Sequence, residues 1–514
     1  MSGNYDIVVI GGGHNGLTAA ITLAKKNRKV LLVEKKPQLG GIAGGEEFYP
    51  GYRTTGLLHD TSGVRNEVIT SLNLENFGLK RKKTRSDISI LSKNGHCLNL
   101  SADLKKAHKE ISKFSQNDAH AYIEYRAFIS KISGFINKLM DEIPPDLMHL
   151  GNKQLWDLAK KGMALKRLGK KTMLEFLKVA PMSVADFLNE KFETDFIKAG
   201  IAAPAVYGSF TGPWSSYTTL NLLIWECAAR ECIIGGPQSL IDALYKTAVD
   251  AGVDIKTSAR AEKIILNENR SVKGVKLEGG NEILAPLVTA SCTPRETFYN
   301  LLLPNQIDYS LEQGIKNYRS RGTSAKINFA LSKEVVFNDA KSVEFARTGN
   351  SFDEMERAFD SVKYRTFSNE PILDIHVPSV QDPSLAPSGH SVVSVVVHFA
   401  PHHFDEGWSE TTKAKLLNNT IKTLEQYAPE ISSAIEGTEV LSPQDLEDRY
   451  SLTDGHIFHG EHAIDQLITR PIPSCSRYET PINGLYLCGS GSHPGGGITC
   501  MPGYLGAKMI LKCT

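Results

Sequence analysis

The sequence predicts an α/β fold that begins with a Rossmann-type βαβ unit, and three observations carry this prediction. The apolar, β-branched run Asp6 to Ile10 (DIVVI) is typical of a buried parallel strand. A glycine-rich turn follows it directly, and a second apolar strand, Lys29 to Val33, ends at the acidic residue Glu34. With 514 residues, 41% of them hydrophobic, the chain is long enough for two domains with substantial cores.

The turn after the first strand has the spacing of a dinucleotide-binding loop. Its glycines occupy the G-x-G-x-x-G positions: the first permits a tight turn, the second lets the backbone approach a pyrophosphate, and the third allows close packing of helix on strand. The helix predicted from Leu17 to Lys26 offers unpaired N–H groups and a partial positive charge to the phosphates. We therefore expect the ligand to contact Gly11, Gly13, His14, Asn15 and Gly16.

An acidic residue and a second glycine cluster narrow the ligand to a flavin dinucleotide. Glu34 lies about 20 residues beyond the turn, where a carboxylate accepts hydrogen bonds from ribose hydroxyls and disfavours a 2′-phosphate. The tract Gly40 to Gly45 (GGIAGG) follows the second strand, and nicotinamide-only units do not require it. In flavin enzymes of the glutathione-reductase type, a glycine pair here lets the chain pass close to the pyrophosphate and ribityl chain. The sequence therefore predicts a glutathione-reductase-like Rossmann domain.

Composition excludes several other classes of protein. The formal net charge is +1, and we find no signature of nucleic-acid binding. No apolar run reaches the roughly 18 to 20 residues of a transmembrane helix, and the first strand starts too early to leave room for a cleaved leader. We therefore expect a cytoplasmic protein.

The eight cysteines include no C-x-x-C motif. Cys227 and Cys232 have the spacing of a redox pair, but their apolar, helical context favours a structural role as small buried side chains over dithiol chemistry.

The rest of the chain predicts two interleaved domains. Residues 66 to 225 have mainly helical patterns, whereas residues 296 to 445 contain alternating β-rich segments that indicate a second sheet. Between them a helix, a strand and a hairpin return the chain to the nucleotide domain. We predict an FAD-binding domain from residues 1–65, 226–295 and 446–514, and an α+β substrate domain from residues 66–225 and 296–445. The substrate domain would carry a mixed or antiparallel sheet and a helical insert.

The C-terminal region carries a second glycine-rich signal. The strand Gly484 to Cys488 leads into the loop Gly489 to Ile498, whose bare backbone can follow a phosphate–ribityl–flavin ligand. A helix that begins near Met501 would direct its positive end toward the N1/O2 edge of the flavin and favour the anionic reduced form. No second G-x-G-x-x-G motif is present, so the sequence does not indicate a tightly docked NAD(P)H domain.

The tracts VVIGGGHNGLTAA, VEKKPQLGGIAGGEEFYPGYR and LYLCGSGSHPGGG resemble the phytoene desaturase superfamily of FAD-dependent oxidoreductases. This resemblance implies non-covalent FAD in a domain assembled from three segments, with a substrate domain over the flavin. At Thr499 to Pro502 the chain departs from the small, glycine-rich continuation of the desaturases. Carried over by position, the cofactor contacts are Gly11, Gly13, Gly16, Glu34, Lys35, Gly40, Gly41, the backbone of Ala261, Gly489, Ser490, Gly497 and Ile498.

The same resemblance implies a dehydrogenase or desaturase that removes a hydride from a small organic molecule, with a lipophilic compound as one alternative, to flavin N5. Oxygen, a quinone or another acceptor would take the electrons. His59 falls where relatives bring the chain under the isoalloxazine ring, so it is the candidate for proton transfer or flavin contact. An amine or alcohol oxidase, a reduced-flavin isomerase or saturase, and an FAD-stabilised interaction protein without turnover remain alternatives. The sequence does not indicate an oligomeric state.

Two further features leave alternatives open. His456, His459 and His462 cluster in sequence but lack the spacing of a metal-binding motif, so we expect no metal site. The stretch Leu155 to Lys171 alternates basic and apolar residues at roughly helical spacing. It predicts either peripheral contact with a membrane surface or a substrate-domain helix with a solvated lysine face.

Overall fold

A computed structural model describes residues 5–149, 151–228, 231–338, 340 and 342–514 of the chain. Four sheets contain the strands β1 Ile7–Ile10, β2 Val30–Val33, β3 Glu47–Tyr49, β4 Tyr52–Arg53, β5 Ile88–Leu91, β6 Cys97–Leu100, β7 Asp254–Lys256, β8 Ala261–Leu266, β9 Val272–Leu277, β10 Glu282–Leu284, β11 Leu287–Ala290, β12 Ser324–Leu331, β13 Phe345–Arg347, β14 Leu373–His376, β15 Ser391–His398, β16 Ile435–Leu441 and β17 Leu485–Leu487.

The helices differ widely in length, and the longest lies in the predicted helical insert. They are α1 His14–Ala24, α2 Asn66–Leu72, α3 Leu104–Ile111, α4 Gln116–Asp141, α5 Asn152–Lys166, α6 Lys170–Val179, α7 Val184–Asn189, α8 Asp195–Val206, α9 Thr218–Ala228, α10 Gly236–Asp250, α11 Tyr309–Asn317, α12 Phe352–Lys363, α13 Glu410–Glu425, α14 Ile431–Ala434, α15 Pro443–Tyr450, α16 Ile464–Leu467 and α17 Met501–Cys513. Within the described parts of the chain, every helix is too short or too polar to cross a bilayer.

A five-stranded parallel sheet brings the two ends of the chain together. Its strand order is β17-β11-β1-β2-β7, so strands from residues 1–65, 226–295 and 446–514 lie side by side. Both β1 and β2 are buried along their whole length, which explains their continuous apolar sequence. Helix α1 packs against α17 and α10 over this sheet. The predicted α/β fold is therefore confirmed.

A seven-stranded mixed sheet, in the order β16-β12-β15-β14-β13-β5-β6, forms a second layer. Its pairs are antiparallel except for β13 and β5, which run parallel. The hairpin β5–β6 lies inside residues 66–225, a region whose sequence predicts mainly helix. Short strands of four residues carry too little periodic signal to stand out among long helical patterns.

The basic stretch Leu155 to Lys171 differs from the single helix that its spacing predicts. Helix α5 runs through Gly162 but ends at Lys166, and α6 starts anew at Lys170. Gly169 separates the two with a φ of 84°, a left-handed conformation that favours glycine. The helix therefore breaks at the second of its two glycines.

Candidate functional site

The first candidate site is a cavity of about 930 Å³ at the carboxyl ends of β1 and β2. In open α/β sheets, ligands bind in the crevice beyond these strand ends. The predicted cofactor residues that line the cavity are Gly11, Gly13, His14, Asn15, Glu34, Lys35, Gly41, Ala261 and Ser490. The structure therefore gathers residues from three distant segments around one opening.

The glycines of the first turn are needed for different physical reasons. A Cβ on Gly16 would lie 1.9 Å from the carbonyl oxygen of Gly11, and Gly11 itself has a φ of 99°. These two residues are glycine because the protein leaves no alternative. Gly13 has an ordinary extended conformation, and the nearest protein atom to its added Cβ would be 3.8 Å away. The space beside Gly13 therefore suits close approach of a ligand.

Backbone N–H groups hold both carboxylate oxygens of Glu34 in place. Its Oε2 accepts from the N–H of Gly12 at 2.7 Å, and its Oε1 accepts from the N–H of Lys36 at 2.8 Å. Each carboxylate oxygen can accept more than one hydrogen bond, so both remain able to accept from ribose hydroxyls. Beside it, Lys35 donates from Nζ to Ser451 Oγ at 2.6 Å. Burial lowers the pKa of Lys35, and the neighbouring Glu34 carboxylate opposes that effect.

The C-terminal loop is bound to the N-terminal turn. Asn15 donates from Nδ2 to Ser490 Oγ at 3.0 Å, and Asn15 Oδ1 accepts from the N–H of Gly503 at 3.4 Å. His14 hydrogen-bonds to the backbone of Gly497. These contacts bring the start of α17 next to the start of α1.

The cavity also has buried polar atoms that the described residues leave unsatisfied. Nε2 of His14 and Nδ1 of His459 are buried without a hydrogen-bond partner among the residues described, and both side chains line the opening. Burial lowers the pKa of His14 to about 4 and that of His459 to about 3, so both imidazoles are neutral at pH 7. Together with the space at Gly13 and the uncapped start of α1, they fit a long ligand with hydroxyl and phosphate oxygens.

A second cavity, of about 1240 Å³, also borders the C-terminal loop. Gly497 and Ile498 line it, together with His59, Trp225 and Phe458. The remaining predicted cofactor residues, Gly16, Gly40 and Gly489, line neither cavity and are closely packed against backbone atoms. A Cβ on Gly40 would lie 2.6 Å from Gly44, and one on Gly489 would lie 2.4 Å from the Ser291 carbonyl oxygen.

His59 lies beside a buried lysine that the sequence analysis missed. Lys326, in β12, donates from Nζ to the Leu57 carbonyl at 3.1 Å and is in hydrogen-bond contact with His59 Nε2. The His59 ring packs on His376, with centroids 4.6 Å apart. Burial lowers the pKa values of Lys326 and His59 well below their usual ranges, and Lys326 and His376 lower that of His59 further. The sequence signal that could have identified Lys326 is a charged residue inside a predicted strand. In the structure all eight residues of that strand are buried.

The other histidines have structural surroundings. His456 Nδ1 accepts from the N–H groups of Phe458 and Gly460, and His462 Nε2 accepts from the N–H of Gly496. His493 lies with Nε2 3.1 Å from the Leu139 carbonyl oxygen. These contacts order the loop around the two cavities.

A different group, His402, His403 and Asp454, has ligand atoms within 4.8 Å of one another. However, Asp454 Oδ2 accepts from Arg295 Nη1 at 2.9 Å, and His402 Nε2 lies 2.6 Å from a Glu447 oxygen. The guanidinium group opposes a bound cation, so this group does not support a metal site.

Fold and cavities together define an FAD-dependent oxidoreductase of the amine-oxidase type. Residues 16–503 match the family of flavin-containing amine oxidoreductases, and the chain belongs to this family. FAD is its cofactor, as the glycine pattern predicts. A structure of putrescine oxidase bound to putrescine superimposes with a TM-score of 0.58 over 99% of this chain and 98% of that one, at 13% identity.

Relatives confirm the resemblance to the phytoene desaturase superfamily. The chain is 31% identical to pyridine nucleotide-disulfide oxidoreductase domain-containing protein 2 of Rattus norvegicus, over 99% of this chain and 93% of that protein. It is 25% identical to a neurosporene-forming phytoene desaturase of Rhodobacter capsulatus, over 98% of this chain and 93% of that protein. The tract Asp454 to Gly497 predicts similarity to the first of these in particular, and the full-length match agrees.

Proposed function

We propose that this protein is a dehydrogenase or desaturase that removes a hydride from an organic substrate held in the second cavity. The observation that most directly supports this proposal is that Gly497 and Ile498, the predicted flavin contacts, line the same cavity as His59. Most of the other side chains in the wall of this cavity are apolar. FAD supplies a two-electron acceptor when bound. The protein positions the substrate, excludes water and accepts the proton that leaves with the hydride.

Lys326 and His59 are the candidates for that proton. The pKa of His59 is lowered well below its usual value, so its imidazole is uncharged at neutral pH and can take up a proton, and burial also lowers the pKa of Lys326. Their contact lets Lys326 Nζ and His59 Nε2 share it, and the Leu57 carbonyl holds the lysine in place. Asp60 follows directly in the same segment and also lines the cavity.

The proposal includes the division of the chain into two domains and the glutathione-reductase-like form of the first. Residues 1–65, 226–295 and 446–514 would bind FAD, and residues 66–225 and 296–445 would bind substrate. The parallel sheet takes all its strands from the first set, and the seven-stranded sheet takes all its strands from the second, which supports this division. It also includes each cofactor contact assigned above.

The proposal further includes oxygen, a quinone or another compound as the electron acceptor, a cytoplasmic location, and peripheral membrane contact through the stretch Leu155 to Lys171, which begins in α5. Leu155 and Trp156 on this helix are 53% and 58% exposed, which supports an apolar surface next to the basic residues. An amine oxidase is the second candidate, favoured by the description of the family and by the structural likeness to putrescine oxidase.

Anaerobic mixing of the purified yellow protein with lipid, polyene and amine pools tests the proposal. Bleaching of the flavin absorbance by a lipid or polyene fraction is the expected result. Hydrogen peroxide formed in step with amine loss would favour the oxidase instead. For an active fraction, Lys326→Met should slow bleaching and remove its pH dependence while FAD stays bound, and His59→Gln should do so to a smaller extent. Unchanged pH profiles in both variants would refute the assigned proton carriers.

A further inference from the structure

The second cavity contains a cluster of charged side chains in addition to the predicted flavin contacts. Arg85 donates from Nη1 to Glu226 Oε2 at 3.1 Å, and Arg126 donates to the same oxygen. Burial opposes ionisation of Glu226, but the two guanidinium groups outweigh it and lower the pKa of the carboxyl. Glu226 is therefore an ionised carboxylate already neutralised by two cations, and it is poorly suited to hold a cationic substrate.

Arg347 adds a third guanidinium to this cluster. Its Nε lies 3.4 Å from Asp374 Oδ1, and its Nη1 donates to the Gly200 carbonyl at 3.3 Å. Arg347 also lowers the pKa of Glu226, so it belongs to the same electrostatic group. Arg85, Arg126 and Arg347 thus pair with the carboxylates of Glu226 and Asp374, so neither of these two carboxylates is left without a guanidinium partner. The other acidic side chain that lines the cavity, Asp60, belongs to the segment of His59.

Tyr125 provides an independent sign that a ligand belongs here. Its hydroxyl is buried and has no hydrogen-bond partner among the residues described, although the side chain lines the cavity. Burial keeps the pKa of this phenol well above its usual value, so the hydroxyl retains its proton and can donate. A buried donor without an acceptor is costly, and an acceptor atom on a bound ligand would relieve that cost.

Much of the remaining wall of this cavity is apolar. Ile88, Leu100, Ile201 and Trp225 line it, from two strands and two helices of the predicted substrate domain. The cavity therefore combines apolar side chains with guanidinium groups and a phenol hydroxyl that can donate hydrogen bonds. A hydrocarbon without a polar end would leave the Tyr125 hydroxyl unmatched.

We propose that the cavity binds an amphipathic organic acid, with its carboxylate or phosphate against Arg85, Arg347 and Tyr125 and its apolar body directed toward Ile498. This inference rests on the proposed function, because it assumes that the substrate occupies this cavity. The planar guanidinium group matches both carboxylate and phosphate oxygens in bidentate geometry. An ammonium group at the same end would meet the carboxylates of Glu226 and Asp374 already paired with guanidinium groups.

Isothermal titration of the FAD-bound protein with four ligands of equal chain length tests this inference. The ligands are decanoate, decyl phosphate, decylamine and decanol. We expect at least one of the two acids to bind about tenfold or more tightly than decanol, and decylamine to bind more weakly than both acids. The comparison of decanoate with decyl phosphate identifies which acid the site prefers.

Two variants and one control locate the effect. Tyr125→Phe removes a hydroxyl without a partner in the described structure, so it should leave the melting temperature unchanged or raised. It should weaken acid binding about tenfold and leave decanol binding unchanged. Arg347→Met should have a larger effect on the acids. Tyr364→Phe is the matched control, because Tyr364 is 78% exposed and lies outside the cavity.

Decylamine or decanol binding as tightly as the acids would overturn the inference, as would acid affinities that Tyr125→Phe and Arg347→Met leave unchanged. Tyr125→Phe keeps the test valid if Arg347→Met fails to fold. Because binding is measured without turnover, the two proposals fail separately. Bleaching by a lipid or polyene fraction with weak acid binding refutes this inference alone, whereas tight acid binding without bleaching by any pool refutes only the proposed function.

Discussion

Replacing Gly13 with alanine should weaken FAD binding without destabilising the protein. Gly13 has φ −74° and ψ 176°, a conformation that alanine adopts readily. Its added Cβ would meet no protein atom within 3.8 Å and would project into the first cavity. The free protein should therefore keep its stability, or gain about 0.4 to 1 kcal/mol from the lower entropy of the unfolded chain.

The loss of affinity follows from the contact that the methyl group prevents. Displacing a phosphate from one backbone N–H removes a charge-assisted hydrogen bond, worth about 1.5 to 3 kcal/mol. This corresponds to a dissociation constant about 10- to 100-fold higher. At an FAD concentration of about 100 times the original dissociation constant, ligand stabilisation of about 2.7 kcal/mol would fall to as little as about 0.4 kcal/mol for a hundredfold loss.

Flavin fluorescence titration and thermal unfolding with and without FAD measure these quantities. Gly16→Ala is the matched control: its Cβ would lie 1.9 Å from the Gly11 carbonyl oxygen, so it should lower stability whether FAD is present or not. The reasoning is refuted if the Gly13→Ala variant binds FAD as tightly as the original protein. It is also refuted if Gly13→Ala lowers the stability of the FAD-free protein as much as Gly16→Ala does.

Three other perturbations give separate tests. Glu34→Gln should raise the dissociation constant of FAD about tenfold and lower the free energy of unfolding by roughly 1 to 3 kcal/mol, because an amide nitrogen cannot accept a hydrogen bond from the N–H of Gly12 or Lys36. Fluorescence titration measures the first effect and urea unfolding the second. Unchanged values would contradict the assignment of Glu34 as a cofactor contact. His456 and His493 are buried and neutral, with pKa values lowered by burial to about 3 and about 4, so the unfolded chain binds more protons below about pH 6.5. Stability should therefore fall by roughly 2 kcal/mol per histidine between pH 7 and pH 5, and urea unfolding that is equal at both values would exclude this. If the stretch Leu155 to Lys171 binds membranes, replacing Lys160, Lys161, Lys170 and Lys171 with glutamate should abolish flotation with anionic liposomes. If the unaltered protein does not float with these liposomes, the lysine face is solvated and does not bind a membrane surface.

The nucleotide end of the site could be predicted from sequence because its signals are local. Gly11, Gly13 and Gly16 lie within one turn, and Glu34 follows at a spacing set by one helix and one strand. The C-terminal loop could be assigned through its glycines and through resemblance. Its bond to the first turn, between Asn15 and Ser490, joins residues that no local pattern connects.

The catalytic and substrate side could not be predicted in the same way. Lys326 reaches His59 only because β12 pairs inside the seven-stranded sheet, and a single sequence does not fix that register. The arginine cluster and its carboxylates join the segment before β5, helices α4 and α9 and strands β13 and β14, five separate parts of the chain. The hairpin β5–β6 was missed for a related reason, since its strands are short and gain their stability from partners distant in sequence.

The crystal structure of the FAD-bound protein tests the central claim most directly. The account predicts density for adenosine beside Glu34 and Ala261 and for the isoalloxazine ring between His59 and the backbone of Gly497 and Ile498, facing the cavity of Arg85 and Tyr125. Density that places the ring outside this cavity, or the adenosine at the C-terminal loop, would contradict it.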